Sequence, residues 1–250
     1  MKKKIALITG ASSGMGREFV RQLNMCLKNI DEIWVIARRE ERLLELKASA
    51  TNVNVRVFAL DICKESDLNY LSNQLQSEKP EVRLLVNAAG VGRAGRFDEI
   101  KTEEALNMVE LNNKALVAVT HIVLPYMKKA SHMIQIASAS AFMPQKEFAV
   151  YAASKAFVLS FSRALRAELK ERNIIVTIVC PGPVNTEFLE ISNEGKGQKP
   201  LKKLVTAKVE PVVAKALRDA KAGKELSIYG LPMKAVYIAS KLLPHGLFVK

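Results

Sequence analysis

The sequence predicts a single doubly wound α/β domain of three layers (α/β/α), in which helices cover both faces of a parallel sheet. A length of 250 residues suits one large domain that can bury most of its apolar surface. Short apolar runs of strand length alternate with segments of helical periodicity, and this alternation requires right-handed crossovers between parallel strands. Glycine-rich or polar residues follow several of the runs, at the strand ends where such sheets bind ligands.

The composition argues against several classes of protein. Apolar residues make up 49% and charged residues 25% of the chain, which is ordinary for a globular domain. No run approaches the ~20 apolar residues of a membrane helix. The apolar run Ile5–Ile8 after M-K-K-K ends at Thr9, short of the ~7–15 residues of a signal peptide. The cysteines, Cys26, Cys63 and Cys180, are far apart and form no C-x-x-C pair, so we expect reduced thiols in a cytoplasmic protein, with no metal site and no stable membrane insertion.

The formal net charge of +13 does not by itself indicate a nucleic-acid partner. The cations are spread along the chain, and no nucleic-acid motif or interleaving of aromatic and basic residues accompanies them. A lysine-rich solvated surface therefore explains the charge better, and we expect no nucleic-acid partner. The basic stretch K-G-Q-K-P-L-K-K, Lys196 to Lys203, is a candidate for steering an anionic substrate.

The first apolar run leads into a glycine-rich turn. Ile5–Ile8 is followed by T-G-A-S-S-G-M-G, after which apolar residues recur at helical spacing from Phe19 to Leu27. Strand, turn and helix in this order place backbone amides and a helix N-terminus where they can bind a pyrophosphate. Gly10 would make the tight turn, while Gly14 and Gly16 let the cofactor and helix approach closely. We therefore predict a Rossmann-like dinucleotide site that includes Ser12, Ser13, Gly14, Met15 and Gly16.

Two arginines follow the second apolar run, Ile33–Ile36. Enzymes selective for the unphosphorylated cofactor usually place an acid here, on the adenosine ribose. Arginine at a helix N-terminus opposes the macrodipole, so folding gives little reason for Arg38 and Arg39. Binding of a 2′-phosphate, whose oxygens match the guanidinium fork, would explain the two arginines. The pair favours NADP(H), with NAD(H) as the alternative, and it could instead be part of a solvated charge cluster with Glu40, Glu41 and Arg42.

Small or polar residues also follow the third and fourth apolar runs. The third run, 53–60, contains alternating valines and is followed by Asp61 and Ile62. The fourth run, Leu84–Val86, leads into N-A-A-G, which is Asn87, Ala88, Ala89 and Gly90. Because the carboxyl ends of parallel strands meet at one edge of a sheet, these residues are candidates for the same site as the glycine-rich turn.

Further elements complete the domain. A long helix should begin after the cap Thr102 and continue toward Pro125, with Asn112 inside it. The fifth strand precedes Ser138 and is a short buried one made by Met133, Ile134 and Ile136, and the sixth is Ile174–Val179. A helix around 212–222, a strand near 226–229 and a final amphipathic segment follow.

The stretch after the fifth strand contains the residues best suited to chemistry. Apolar residues from Phe157 to Leu169 recur at helical spacing, which places Tyr151 and Lys155 one turn apart on one helix face. A free phenol loses its proton near pKa ~10, and a fixed ammonium nearby should lower that pKa. Ser138 could hydrogen-bond the same substrate oxygen, so the spacing indicates an acid/base site. The alternative is a structural helix on which the tyrosine and lysine coincide by chance.

The sequence after the sixth strand is suited to covering a site. C-P-G-P-V-N-T, 180–186, breaks the strand pattern, and 187–204 is polar and contains glycine, which suits a mobile loop. The C-terminal segment, 230–250, has apolar residues beside Lys234 and Lys241. We expect it to cover the pocket or join a subunit interface, and contact with a lipid surface is the less favoured alternative.

The chain resembles the short-chain dehydrogenase/reductase family over nearly its full length. The resemblance rests on T-G-A-S-S-G-M-G, Asp61, N-A-A-G, Asn112, Ser138, Y-A-A-S-K and P-G-P-V-N-T, in the family's order. It implies that Tyr151 is the general acid/base and that Ser138 holds the substrate oxygen. It also implies that Lys155 lowers the pKa of Tyr151 and binds the nicotinamide ribose, and that Asn112 supports a proton path through water.

The resemblance also implies the cofactor contacts. The glycine-rich turn would bind the pyrophosphate, Asp61 and N-A-A-G the adenosine side, and Val184 and Thr186 the nicotinamide amide. A-R-R after the second strand looks like the NADP-preferring form of the family. Ser13 stands where many such members have Lys or Arg, which should keep the preference from being extreme. The complete set of expected contacts is Gly10, Ser12, Ser13, Gly14, Met15, Gly16, Arg38, Arg39, Asp61, Ile62, Asn87, Ala88, Ala89, Gly90, Tyr151, Lys155, Pro181, Gly182, Val184 and Thr186.

We expect an enzyme that reversibly reduces a ketone or aldehyde to an alcohol with NADP(H). The alternative is a non-catalytic module that senses NADP(H) or serves as a scaffold, because a fold alone does not imply catalysis. Hydroxysteroids, 3-oxoacyl thioesters and small ketones are all open as substrates. The expected partners are a small carbonyl or alcohol compound and further copies of the chain, as a homodimer or homotetramer.

Overall fold

A single sheet organises the chain, whose computed structural model describes residues 2–26, 30–192, 205–244 and 246. Its strands are β1 (Lys4–Thr9), β2 (Glu32–Ala37), β3 (Asn54–Ala59), β4 (Glu81–Asn87), β5 (Met127–Ile136), β6 (Ile175–Val179) and β7 (Leu226–Ser227). They lie in the order β3-β2-β1-β4-β5-β6-β7, and every neighbouring pair is parallel. The predicted doubly wound, Rossmann-like α/β domain is confirmed.

Helices cover both faces of this sheet. They are α1 (Gly14–Cys26), α2 (Glu40–Ser49), α3 (Glu65–Glu78), α4 (Thr102–Val109), α5 (Leu116–Val123), α6 (Ala149–Glu168), α7 (Glu187–Ser192), α8 (Val209–Lys221) and α9 (Leu231–Leu242). A π-helix, Glu110–Ala115, joins α4 to α5, and short 3₁₀ turns occupy Leu124–Tyr126 and Ala139–Phe142. None of the described helices has both the length and the apolar character that a membrane crossing requires.

The central strand β1 shows how the two helical layers are used. Ile5 and Leu7 belong to a core shared with α3, α5 and α6. Ala6 and Ile8 belong to a second core shared with α1, α2 and α8. Alternate side chains of a strand point to opposite faces, and all four of these are fully buried. A strand covered on both faces is therefore a continuous apolar run rather than an alternating one.

The helix predicted from Thr102 toward Pro125 is interrupted. Thr102 is the first residue of α4, and the N-cap position belongs to Lys101, whose backbone N–H donates to the Glu104 carboxylate at 3.2 Å. The backbone then becomes π-helical over Glu110–Ala115 before α-helical geometry returns. Because a π-helix changes only the backbone hydrogen-bond register, the apolar periodicity of the sequence does not predict it.

The fifth strand is longer than the sequence predicts. β5 begins at Met127, and its register against β4 shifts between the pairs formed by Val82 and Leu84. Ala130, within this irregular part of the strand, has a φ of 61°. The irregular backbone hides the alternation by which a strand is recognised in sequence, so only the regular half was predicted.

The segment predicted as a mobile loop, 187–204, begins with a helix instead. Glu187–Ser192 form α7, so the loop prediction is wrong for these residues. Residues 193–204, which include the basic stretch Lys196 to Lys203, lie outside the described residues. The C-terminal segment contains α9, as the amphipathic pattern indicated, and 247–250 are likewise not described.

Candidate active site

A cavity of about 930 Å³ opens at the carboxyl ends of the strands, where the strand order reverses between β1 and β4. Such a reversal leaves a crevice that binds ligands in open α/β sheets. Most of the predicted site residues line this cavity: Gly10, Ser12, Ser13, Gly14, Met15, Arg38, Arg39, Asp61, Ile62, Ala88, Ala89, Gly90, Ser138, Tyr151, Lys155, Pro181, Gly182, Val184 and Thr186. Three of the predicted residues do not line the cavity: Gly16, Asn87 and Asn112.

Close backbone packing explains two of the glycines. Gly10 has a φ of 68°, and a Cβ at this position would lie 2.7 Å from the backbone of Ala89. A Cβ at Gly16 would lie 2.2 Å from the carbonyl oxygen of Gly10. A larger residue at either position would therefore push α1 or the end of β4 away from the turn. The turn holds backbone N–H groups at the N-terminus of α1, an arrangement that fits a pyrophosphate.

Asn87 joins elements beneath the cavity rather than lining it. Its side chain is 2% exposed, and Nδ2 donates to Thr120 Oγ1 at 2.9 Å and to Gln135 Oε1 at 3.0 Å. Thr9 Oγ1 accepts hydrogen bonds from the backbone N–H groups of Ala88 and Ala89, each at 3.2 Å. These bonds fix the end of β4 against its neighbours, so Asn87 positions the cavity wall that Ala88 and Ala89 form.

Asn112 occupies the π-helix and holds the segment after β4. Its side chain is fully buried, Oδ1 accepts from the Val91 N–H at 2.9 Å, and Nδ2 donates to the Val91 carbonyl at 2.9 Å. Nδ2 also donates to Ser154 Oγ at 3.0 Å, which connects the π-helix to α6. A Cβ at Gly90 would lie 3.1 Å from Asn112 Oδ1 and 3.3 Å from Lys155 Nζ, so the amide and the ammonium face the same small space.

Lys155 is almost completely buried, with 4% of its surface exposed. Its Nζ donates a hydrogen bond to the Ile136 carbonyl at 3.0 Å, at the end of β5. Burial lowers the pKa of Lys155 to about 8, because an ammonium is poorly solvated in this position. The lysine can therefore gain or lose a proton near neutral pH.

Tyr151 is also buried, and the Ser138 hydroxyl is near enough to its phenol to affect the phenol's pKa. Burial raises the pKa of Tyr151 to about 12, and the nearby Ser138 hydroxyl opposes this rise. The sequence predicts that Lys155 lowers the pKa of Tyr151. The structure shows the opposite, because the pKa of Tyr151 is raised. The lysine Nζ lies 5.8 Å from the centre of the tyrosine ring, and desolvation of the phenolate outweighs an attraction over that distance.

Aromatic rings enclose the phenol, and the sequence did not lead us to them. Phe148 stacks on Tyr151 with ring centres 4.3 Å apart, and Phe188 of α7 lies 5.6 Å from Tyr151. Phe148 is three positions before Tyr151, a spacing that brings side chains together at a helix start and could have indicated the contact. Phe188 is distant in sequence and gives no local signal.

A charged cluster forms the opposite end of the cavity. Arg39 and Arg42 both form ion pairs with Glu187, each with a shortest distance of 2.7 Å. Arg39 also donates to Ser12 Oγ, from Nε at 3.3 Å and from Nη2 at 3.2 Å. Arg38 lines the cavity and is exposed to solvent. The structure thus places both predicted arginines at the cavity but gives Arg39 an acidic partner that the sequence did not indicate.

Known proteins share sequence and fold with this chain. A sequence profile of the family described as short chain dehydrogenase matches residues 4–197. Sulfoacetaldehyde reductase 2 of Chromohalobacter salexigens is 34% identical over 199 residues, which cover 76% of this chain and 77% of that protein. An NADP-dependent 3-hydroxy acid dehydrogenase of Escherichia coli is 32% identical over 215 residues, covering 83% and 85%. A solved short-chain dehydrogenase from Sphingobium yanoikuyae in complex with NADPH has a TM-score of 0.82 at 26% identity, covering 98% of this chain and 94% of that one.

Proposed function

Because this chain belongs to the short-chain dehydrogenase family and is an NAD(P)-dependent dehydrogenase or reductase, we propose that it reversibly reduces a ketone or aldehyde with NADPH. The observation that carries the proposal is the convergence of Ser138, Tyr151 and Lys155 on one cavity that also contains the glycine-rich turn. The cofactor would supply the hydride. The remaining steps belong to side chains of the chain itself.

Tyr151 is proposed as the proton donor to the carbonyl oxygen. A phenol with a pKa of about 12 is protonated at neutral pH, which is the state that a general acid requires. Ser138 and Tyr151 line the same cavity, so one carbonyl oxygen could accept from both hydroxyls. In the oxidative direction the phenolate form of Tyr151 would accept the proton of the alcohol, while Ser138 holds the same oxygen.

Lys155 and Asn112 are proposed to return a proton to Tyr151. The lysine pKa of about 8 allows proton exchange near neutrality, and its bond to the Ile136 carbonyl fixes its position. Asn112 holds the backbone at Val91, beside the small space that faces Lys155. Asn112 would therefore act chiefly by position, keeping that space open to a water molecule.

NADP(H) is proposed as the preferred cofactor. Arg38 and Arg39 line the cavity end next to β2, where the adenosine ribose lies in sheets of this kind. The relative from E. coli is named as NADP-dependent, and the solved relative contains NADPH. Two guanidinium groups suit a 2′-phosphate, and no acid stands at the end of β2 in their place.

The substrate side of the cavity supports an apolar carbonyl compound of some size. The described residues that line it around Tyr151 are mainly aromatic or aliphatic: Met143, Phe148, Phe188, Leu189, Ile191, Met233 and Val236. Apolar walls of this kind stabilise a substrate through its buried apolar area. A steroid ketone, whose reduced form is a hydroxysteroid, or a similar bulky ketone therefore fits the described walls better than the small charged substrates for which two of the relatives are named.

A carbonyl panel tests the proposal. NADPH oxidation would be measured with steroid ketones, 3-oxoacyl thioesters, small ketones and sulfoacetaldehyde at equal concentrations. We expect the largest kcat/KM with a bulky apolar ketone. Tight NADPH binding without turnover on any carbonyl would favour the sensing or scaffold alternative.

Self-association is proposed as well, as a homodimer or homotetramer. A shallow groove outside the active site is lined largely by apolar residues, among them Val109, Val117, Ile122 and Phe157. Val109 is 48% and Phe157 45% exposed, and a second copy of this helical face would cover both. Sedimentation velocity should give a dimer or tetramer for the wild type and a monomer for the double variant Val109→Asp/Phe157→Asp. A monomeric wild type would contradict this proposal.

A further inference from the structure

The cavity end assigned to the adenosine ribose already contains an anionic group of the chain itself. The Glu187 carboxylate accepts from Arg39 Nη1 at 2.7 Å and from Arg39 Nη2 at 3.1 Å. It also accepts from Arg42 Nη1 at 2.7 Å. With Ser12 Oγ on its remaining side, the planar fork of Arg39 is already engaged.

The groups around Glu187 have the chemistry of a phosphate site. Two guanidinium groups bind one carboxylate, and the hydroxyl of Ser12 accepts from one of them. Groups of these types also bind a phosphomonoester, the guanidiniums through charge-assisted bonds. Arg38 is exposed at the same end of the cavity and could add a third cation. Glu187 keeps its charge at neutral pH, since the two guanidiniums hold its pKa at about 2. An arriving phosphate would therefore meet a carboxylate on the donors that it needs.

We propose that Glu187 occupies the 2′-phosphate subsite and that NADP(H) displaces it. This inference rests on the proposed use of NADP(H) and makes Glu187 a determinant of cofactor preference. A 2′-phosphate cannot share the Arg39 fork with a carboxylate, because two anions would then lie in contact. NAD(H) has a hydroxyl at that position and leaves the pairs with Arg39 and Arg42 intact.

The displacement also reaches the catalytic phenol. Glu187 is the first residue of α7, and the next residue, Phe188, lies against Tyr151. The same helix is tied to the segment after β4, where the Ala94 N–H donates to the Ser192 carbonyl at 2.9 Å. Release of Glu187 removes the tie between α7 and the adenosine end while the contacts near Tyr151 persist. With NAD(H) bound, α7 would thus stay attached to Arg39 and Arg42 through Glu187. With NADP(H) bound, α7 would lose this attachment and keep its contacts near Tyr151.

Equilibrium binding tests the inference without relying on turnover. Isothermal titration calorimetry would measure dissociation constants of 2′,5′-ADP, 5′-AMP, NADP⁺ and NAD⁺ for the wild type and for Glu187→Gln. Loss of the competing charge should tighten binding of 2′,5′-ADP and NADP⁺, the two ligands with a 2′-phosphate, by about tenfold, the scale of one charge-assisted bond. Binding of 5′-AMP and NAD⁺ should change by less than about twofold, because neither displaces Glu187.

Two further variants complete the design. Glu190→Gln removes an exposed acid from the same helix and should match the wild type with all four ligands. Glu187→Ala should act like Glu187→Gln, and it excludes an effect of the new amide. Unchanged or weaker NADP⁺ binding in both Glu187 variants would overturn the inference while leaving the proposed cofactor in place. Equal binding of 2′,5′-ADP and 5′-AMP by the wild type would instead overturn the cofactor proposal and this inference together.

Discussion

The two ends of the cavity control their ionisable groups by opposite means. At the catalytic end, Tyr151 and Lys155 are buried, and desolvation raises the pKa of the tyrosine and lowers that of the lysine. At the adenosine end, Glu187 and its arginine partners are about one-third exposed, and ion pairing lowers the carboxyl pKa. Both ends lie along the same edge of one sheet.

The comparison separates a site for chemistry from a site for recognition. Burial favours neutral forms, so the catalytic end holds a protonated phenol beside an amine that titrates near neutrality. Exposed charges keep their ionised forms and attract a phosphate, but solvent and salt weaken this attraction. Variants at the catalytic end should therefore give large effects on turnover and stability. Variants at the adenosine end should give smaller effects, mainly on binding.

Removal of the phenol hydroxyl should have the largest effect. Tyr151→Phe keeps the ring contacts with Phe148 and Phe188 but removes the proton donor, so turnover should fall by at least ~10²-fold. The NADPH dissociation constant should change little. Steady-state kinetics and calorimetry measure both, with Tyr70→Phe, at an exposed tyrosine, as the control. A fully active Tyr151→Phe enzyme would remove the phenol from the mechanism.

Replacement of the buried lysine should reduce activity and raise stability. Lys155 has a pKa of about 8 in the fold, against 10.5 as its ordinary value, so the unfolded chain binds the proton more tightly. Its burial therefore destabilises the fold most below pH 8, and this penalty fades as the pH rises to 10.5. Relative to Lys155→Met, the wild type should gain up to roughly 3 kcal/mol of unfolding free energy across that range.

Urea unfolding of both proteins at several pH values measures this difference. The comparison between the two proteins cancels other groups that titrate in the same range. A difference in stability that is constant from pH 7 to pH 11 would show that burial does not lower the pKa of Lys155. The contrast between the two cavity ends would then lose its main support.

The same contrast explains how much the sequence could predict. Local periodicity predicts the strands and places Tyr151 and Lys155 on one helix face. Because parallel strands end at the same edge of the sheet, the residues that follow them are predicted to meet there. The pair between Glu187 and Arg39 joins residues 148 positions apart, and no local pattern indicates it. The direction of the Tyr151 pKa depends on how much solvent the whole fold removes, including Phe188 from a helix that the sequence presented as a loop. Long-range packing therefore accounts for these two features, the Glu187–Arg39 pair and the direction of the Tyr151 pKa.

Removal of the two arginines should change cofactor preference by a moderate factor. A charge-assisted contact with the 2′-phosphate is worth roughly 1.5–3 kcal/mol, so the wild type should prefer NADPH over NADH by at least tenfold. Arg38→Ala with Arg39→Ala should raise the KM for NADPH far more than the KM for NADH. Lys47→Ala, at an exposed position of α2, is the matched control. Equal use of both cofactors by the wild type would favour the alternative in which the two arginines belong to a solvated charge cluster and bind no phosphate.

The smallest effect should come from the stability that Glu187 itself contributes. Arg39 and Arg42 lower the pKa of Glu187 from 4.5 to about 2, so its pairs stabilise the fold above pH 4.5 and lose this contribution as the pH falls toward 2. Because all three side chains are about one-third exposed, solvent screens the pairs, and we expect Glu187→Gln to lower the unfolding free energy at pH 7 by less than roughly 1 kcal/mol. Denaturant unfolding between pH 3 and pH 7 should show this deficit shrinking at the acidic end and in high salt, whereas Glu190→Gln should show no such trend. A deficit that stays constant with pH and salt would mean that Glu187 acts through packing rather than charge, and the adenosine end would then not be controlled by ion pairing.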